Sequence, residues 1–419
     1  VSTSRDVPLL FATRAVRLFA YGLTSVVLAL HLAAAGLDEL RIGLLLSLTL
    51  WGDTAISFVL TARADRVGRR ATLIAGAALM IVAALAFATT TSFWLLLLAA
   101  TVGVLSPSGN EVGPFLAVEQ AALAHELPAA RRTSAFAWYQ LVGSLATAVG
   151  ALAGGALVQR LEQAGLAPLQ RYRAISVGYG LCGLVLAALF LSLSRAVEVA
   201  PAGAPDRPGA ASERARARAP FLGLHRSRRV VLELSALFSV DAFAGGFVVQ
   251  SLVAWWFHAR FGASPAALGG IFFGANVLAG LSALSAAAIA RRVGLVATMV
   301  ATHLPSNVLL LLVPLMPTLP LAIAVLLLRF SISQMDVPTR QSYTMAVVAP
   351  DERSAAAGVT GIARTIGAAL SPLLAAPLYA SAALSAVPFY VAGGLKIVYD
   401  LVLWRRFRAV RPPEEREQG

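Results

Sequence analysis

Ser106, Ser108, Asn110 and Glu111 crowd into "LSPSGNEVGP" at 105–114, directly behind the apolar run "FWLLLLAATVGV". A stretch of the same make-up, "FSISQMDVP" at 330–338, follows "LPLAIAVLLL" and brings Ser331, Ser333, Gln334 and Asp336. Sliding the chain by 225 residues lays Ser106 on Ser331, Ser108 on Ser333 and Glu111 on Asp336. Hydroxyls and amides can hydrogen-bond a polar small molecule, and a carboxylate can take up and return a proton. Pro107 and Pro114 in one stretch and Pro338 in the other remove backbone donors. Inside lipid such a break survives only where protein or a water-filled cavity satisfies the freed groups. At 1.5 Å per residue Glu111 lies roughly 27 Å in from Phe93, and Asp336 roughly 25 Å in from Leu319. The competing expectation is that both carboxylates simply pair with arginines at a cavity rim.

Other ionisable groups stand in apolar surroundings, where they are costly and mark pathways or proton relays. Arg14, Arg17, Tyr21 and Thr24 share one helical stripe, with snorkelling to the membrane surface as the alternative for both arginines. Thr49, Asp53 and Ser57 follow one another at four-residue steps, as do Thr360 and Arg364, with Gly367 and Ser371 continuing that stripe. Asp53 and Arg364 can form a pair. Asp241 in "SVDAFAGGF" has no same-helix partner, and a carboxylate left alone there can take up a proton. Arg329, Gln334, Arg340 and Gln341 add donors. His303 reads as a packing or lipid-interface residue, and Lys396 with Asp400 as a local ion pair four residues apart.

The elements that must position these groups follow from composition. The chain has 419 residues, 58% hydrophobic and 13% charged, with mean hydropathy +0.76. That is too apolar for a domain surrounded by water, and the expected class is an all-α integral membrane protein. Runs of membrane-crossing length fall at 9–33, 42–61, 72–90, 93–121, 134–157 and 174–193, then at 230–257, 268–288, 296–316, 319–347, 356–379 and 387–403. They are continuously apolar rather than alternating, which excludes barrel strands. With twelve spans and both termini inside, cytoplasmic segments hold 23 of the 34 Lys and Arg and outer loops hold 5. The positive-inside rule therefore puts both ends in the cytoplasm. The net charge of +13 is scattered through short loops without aromatic platforms, which speaks against nucleic acid. The first apolar run is too long for a cleaved leader and is expected to stay in the protein. Cys182, the single cysteine, lies in an apolar span and reads as a core residue.

The expected organisation is a six-helix bundle over 1–194, a basic Pro- and Ala-rich linker over 195–228, a second bundle over 229–407 and a tail over 408–419. The linker reads as solvated and close to anionic lipid headgroups. The bundles repeat: "ARADRVGRRAT" matches "AIARRVGLVAT" at an offset of 226, and the same offset matches Gly36 with Gly262 and Gly43 with Gly269.

"ADRVGRRATL" resembles motif A of the major facilitator superfamily, with Thr61 and Arg63 where the family usually has Gly and Leu. "GALAGG" at 150–155 is similar to the family's efflux-antiporter motif C, with Ala151 in place of proline; close helix packing is the competing reading. The resemblance spans the whole chain and implies two pseudo-symmetric six-helix bundles. It also implies a cavity lined by helices one, four, seven and ten, and a latch of Asp65, Arg66, Gly68, Arg69 and Arg70 against the eleventh helix, where Arg364 lies.

The resulting site expectations are a substrate set, a proton set and a gating set. The substrate set is Arg17, Tyr21, Ser106, Ser108, Asn110, Glu111, Ser331, Ser333, Gln334, Asp336 and Arg340. The proton set is Asp53, Glu111, Asp241 and Asp336. Gating falls to the latch residues and Arg364. The implied function is secondary active transport of a small molecule by alternating access, as proton-coupled efflux. Uptake or exchange of an organic anion through Arg17, Arg340 and Arg364 is the alternative, and a non-transporting receptor or scaffold the third. No Walker sequence, catalytic constellation or His/Cys metal spacing is present, so neither an enzyme nor a cofactor is expected. Expected partners are the substrate, protons and lipid, with a monomer in the cell membrane, the inner one if the source is Gram-negative.

Overall fold

Long, continuously apolar sequence without strand alternation leaves the backbone in lipid one way to satisfy its polar groups, the α-helix. The computed structural model describes residues 5–111, 114–126, 129–194, 197–198, 224, 226–349 and 352–410, and no strand occurs among them. In the first half α1 (Asp6–Ser25) and α2 (Leu28–Ala34) meet at a 46° bend, followed by α3 (Glu39–Val67) and α4 (Arg69–Thr89). Then come α5 (Phe93–Val102), α6 (Phe115–Glu126), α7 (Ala129–Gln163) and α8 (Pro168–Leu191). The second half holds α9 (Arg228–Gly246), α10 (Gln250–Phe261), α11 (Pro265–Val293) and α12 (Leu295–Leu312). It closes with α13 (Leu319–Ser333), α14 (Asp336–Val347), α15 (Arg353–Ala380) and α16 (Val387–Phe407). Among the described residues nine helical stretches, or ten with the bent α1–α2 pair, are long and apolar enough to cross a membrane. Trp94, Leu98, Leu181 and Leu281 point outward and are exposed, as expected of helices that face lipid rather than water.

The repeat is visible in the backbone. Gly36 and Gly262 both take positive φ, at 84° and 65°, and so do Gly68 and Gly294, at 109° and 89°. Each pair is 226 residues apart and sits where one helix ends and the next begins, a conformation that side chains disfavour. Gly43 and Gly269, the other matched pair, do a different job. A Cβ on Gly43 would stand 2.7 Å from the Pro372 carbonyl of α15, and one on Gly269 would stand 2.8 Å from the Ala151 carbonyl of α7. The two halves therefore meet through equivalent small-residue contacts, α3 on α15 and α7 on α11. Ser47 reinforces the first, accepting from the Leu373 amide at 2.9 Å.

The glycines of the motif C likeness serve this packing. Cβ atoms at Gly150 and Gly154 would run into the Phe19 and Leu23 carbonyls of α1, and at Gly155 into Pro265 of α11. One end of the bundle is tied by carboxylates. Asp6 accepts from the Ser194 amide at 3.0 Å, and Glu352 accepts from the Arg226 and Ser227 amides at 2.7 and 2.8 Å. Glu198 accepts from the amides of Arg69 and Arg70, at 2.7 and 3.1 Å, where they begin α4 behind Gly68. A carboxylate at a helix N-terminus satisfies orphan donors and suits the helix dipole. Val197, Leu224 and Ser227 are buried, so both ends of the expected 195–228 linker belong to the folded bundle rather than to solvent. Residues 199–223 and the tail beyond 410 lie outside the described residues.

Gly155→Val should wedge α7 from α11 and destabilise the protein by about 1–3 kcal/mol through overpacking. Gly270→Ala, one residue from Gly269 and with nothing within 4 Å of its added Cβ, should not. Thermal unfolding of the detergent-solubilised variants separates the two.

Candidate functional site

In the first half the three-residue spacing of Arg14 and Arg17 turns both guanidinium groups from α1 toward α6, α7 and the non-helical stretch between α5 and α6. Arg17, fully buried, grips Glu119 with both terminal nitrogens, at 2.8 and 2.7 Å, and reaches Glu111 through Nε at 2.7 Å. Arg14 donates to Glu111 at 2.5 Å, to Gln140 at 2.8 Å and to the Tyr139 carbonyl at 2.8 Å, with its guanidinium 4.4 Å above the Tyr139 ring. Thr13 and the Tyr139 hydroxyl complete the shell of Glu119. Two arginines against two glutamates make a neutral, multiply hydrogen-bonded set, the arrangement that offsets the desolvation of buried charge. Arg14 and Arg17 are thus core residues, which corrects the snorkelling alternative: each is buried against a carboxylate. Glu111, 13% exposed, is the only member of the four with an open side.

The second half gathers its charges around Asp241 of α9. Lys396 donates to Oδ1 at 2.5 Å, and Arg340 and Arg364 donate to Oδ2 at 3.2 and 3.3 Å. Arg340 also holds Asp336, one turn earlier on α14, at 2.9 Å. His303 of α12 donates to or accepts from Asp400 through Nδ1 at 2.8 Å, and its Nε2 lies 3.7 Å from Asp241. Asn307 bonds the second Asp400 oxygen at 2.9 Å. Three expectations change here. Asp241 is not a lone carboxylate but the most shared acceptor in the half, because partners arrive from α14, α15 and α16, which same-helix spacing does not report. Lys396 bonds Asp241 rather than its neighbour Asp400. His303 is buried in a polar network, not at the lipid interface.

The two matched interruptions are unequal. Between α5 and α6 the described residues of 103–114 leave the helix altogether, while α13 and α14 are parted only by Gln334 and Met335. Ser106 closes the first break on itself by donating to the Asn110 carbonyl at 2.7 Å, and Gly109, at φ +71°, approaches Ser25. Ser108 is half-buried and Asn110 exposed. Ser331 donates to its own helix at Leu328, whereas the buried Ser333 hydroxyl has no partner among the described residues. Two further breaks were not expected, at 26–27 between α1 and α2 and at 247–249 between α9 and α10. They meet: Gln250 donates to Ser25 at 2.8 Å, and the Ser251 amide donates to the Pro107 carbonyl at 3.2 Å. The Gly245–Gly246 pair ahead of the second break is the signal that could have located it.

Tyr21 is fully buried, its ring 6.5 Å from that of Tyr179. Asp53 accepts from Ser57 at 3.2 Å. The backbone of Asp65 and Arg66 closes α3, but their side chains lie outside the described residues. Arg69 and Arg70 face Glu198. Glu119 and Tyr139 went unremarked in the sequence, and His303, Lys396 and Asp400 were read there but left out of the expected site sets. Glu119 carried a signal, being ionisable within an apolar run eight residues after Glu111.

Glu119→Leu leaves Arg17 with one carboxylate shared with Arg14 and should cost about 3–5 kcal/mol, the range for breaking one side of a buried pair. The double variant Arg17→Met/Glu119→Leu should recover most of it. Unfolding of the purified variants measures both, and a single variant as stable as the parent would contradict the pairing.

The Major Facilitator Superfamily model matches residues 10–372. An uncharacterized membrane protein of Saccharomyces cerevisiae, YJR124C, is 33% identical over 428 residues, covering 97% of this chain and 95% of that one. Among solved structures the fold is similar to a D-xylose-proton symporter, with TM-score 0.73 and 16% identity over 95% of this chain and 97% of that one. It is similar to the nucleoside transporter NupG, with TM-score 0.70 and 12% identity over 96% and 99%. The human organic anion transporter MFSD10 follows at TM-score 0.58 and 20% identity over 95% and 98%. The match to the family model over most of its length, and a relative one-third identical from end to end, establish that the chain belongs to the Major Facilitator Superfamily.

Proposed function

We propose that the protein is a proton-coupled secondary transporter that carries a small molecule across the membrane by alternating access. One observation carries the reading. The helices that break at corresponding points of the two repeats hold a buried charge cluster in each half, one around Glu111 and one around Asp241 and Asp336. Broken helices near the middle of repeated halves are where secondary transporters bind substrate and coupling ion. In this reading α3 and the broken α5–α6 pair complete twelve crossings, both termini are cytoplasmic, and the working unit is a monomer. The bundles 1–194 and 229–407 rock about Glu111 and Asp336, and the Asp65–Arg70 loop latches one face. Export by antiport is the direction that "GALAGG" suggests. Its glycines are occupied by backbone contacts that serve either direction, so flux in vesicles is what assigns it.

A ligand found by thermal shift supplies the transport probe, since binding at a hundred times Kd stabilises the folded state by about 2.7 kcal/mol. Sugars, nucleosides and organic anions are the classes to screen first, at two pH values. In proteoliposomes Glu111→Gln and Asp336→Asn should abolish accumulation driven by a pH gradient while one-for-one exchange persists. Near-normal coupling in both variants would remove these carboxylates from the mechanism, and binding with no flux in the parent would leave a receptor.

A specific observation favours an anionic substrate as the second reading. Arg364 is 35% exposed, while Arg17 and Arg340 are each buried against two carboxylates, so of these three arginines Arg364 is the one with an open side. Arg364→Gln should then raise the half-saturating concentration of an organic-anion probe roughly tenfold, about the 1.4 kcal/mol of one charge-assisted hydrogen bond. Unchanged half-saturation would reject this version.

A further inference from the structure

His303 faces a carboxylate on each side. Nδ1 is 2.8 Å from Asp400 Oδ1 and Nε2 is 3.7 Å from Asp241 Oδ1. A neutral imidazole that donates through Nδ1 turns a bare lone pair at Nε2 toward the second carboxylate, whereas a ring carrying one more proton offers N–H to both. Asp400 is fully buried, and its bonds come from His303 and Asn307, neither of them a permanent cation. The cation placed to serve it by spacing, Lys396 at one turn's distance on α16, is held by Asp241 instead.

We propose that His303 and Asp400 form a proton-binding site on α12 and α16, coupled through Lys396 to the Asp241 cluster. The site deepens the proton-coupled reading above and rests on it. A proton from cavity water adds to the Nε2 lone pair, and the imidazolium so formed lies between Asp400 and Asp241 while Lys396 stays on Asp241, as observed. When the proton returns to water Asp400 loses its only compensating charge. Lys396 then turns to Asp400, and Asp241 is left to Arg340 and Arg364. Because Arg364 is the exposed member of the cluster, proton release changes how firmly an exposed guanidinium is held.

The charged surroundings set the sign of each test. From α9 the imidazole faces Asp241, and from α16 it faces Lys396, Asp400 and the edge of the Tyr399 ring at 5.9 Å between centroids. Asp336 and Arg340 of α14 and Arg364 of α15 act through Asp241. Arg329 of α13 acts on Asp241 and Asp336 at longer range.

The test is ¹⁵N NMR of histidine-labelled full-length protein in nanodiscs. His303 is assigned among the five histidines by its loss in His303→Gln. The expected result is an imidazole that gains a proton between pH 9 and 5. Its midpoint should fall by at least one unit, tenfold in proton affinity, in Asp400→Asn, and rise in Lys396→Met. A ring that keeps one neutral tautomer throughout that range, or a midpoint unmoved in the variants, overturns the site. If Asp400→Asn does not fold, Lys396→Met decides alone, a rise supporting the proposal and no change refuting it. Flux driven by a pH gradient with a silent His303 defeats this site and leaves proton coupling intact. A titrating His303 in a protein whose flux ignores the gradient does the reverse.

Discussion

Every buried charge in a membrane bundle needs a partner, because hydrocarbon offers neither water nor ions, and that requirement shapes both halves of this protein. Each half meets it by converging helices distant in sequence on one carboxylate system. In the first half α1, α6 and α7 close around Glu119 and Glu111; in the second α9, α12, α14, α15 and α16 close around Asp241, Asp336 and Asp400. The helices that supply these groups cannot slide independently without leaving a charge unpaired, which costs several kcal/mol. Charge pairing thus ties the core together across elements that apolar contact alone would leave free to slip.

The backbone breaks follow from the same scarcity of partners. A helix that ends within the bundle frees donors and acceptors, and here they find each other. Ser251 of α10 donates to Pro107 in the stretch between α5 and α6, Thr147 of α7 donates to Gly109, and Gln250 spans from α10 to Ser25. Breaks belonging to opposite halves are therefore stitched together at one level of the molecule. Farther along, Gly43 against α15 and Gly269 against α7 let the backbones of the two halves approach closely. Contacts of that kind can part and reform without repacking a core, which suits halves that move as rigid bodies.

Much of the fold was legible because its signals are local. Apolar run length located the helices, and of the glycines that the 226-residue register matched, Gly36, Gly262, Gly68 and Gly294 take positive φ in the backbone. Local signals also marked Glu111, Asp336, Arg17 and Arg340 as charges out of place. What spacing along one helix did not report was which helix brings the partner. Lys396 and Asp400 looked like a pair because four residues separate them, yet Asp241, 155 residues away, takes the lysine. His303 looked peripheral by its place in the chain, and became central because α12 packs against α16. Breaks without proline, at 26–27 and 247–249, left little trace beyond a glycine pair.

The two clusters differ in a way that bears on motion. In the first, the guanidinium groups meet their carboxylates at 2.5 to 2.8 Å, and Arg17 grips Glu119 fork to fork, an arrangement that has one good geometry. In the second, Asp241 divides two oxygens among Lys396, Arg340, Arg364 and His303, with three of the four distances between 3.2 and 3.7 Å. A carboxylate shared by several cations at mostly long distances is less tightly fixed to any one of them than one held in a bidentate pair. Under the proposed proton coupling, the second cluster is where a proton acts, because a ligand or a proton shifts an equilibrium only by its differential affinity for the two states. The two halves share a fold but hold their buried charge differently, one through short paired bonds and the other through a single carboxylate divided among several partners.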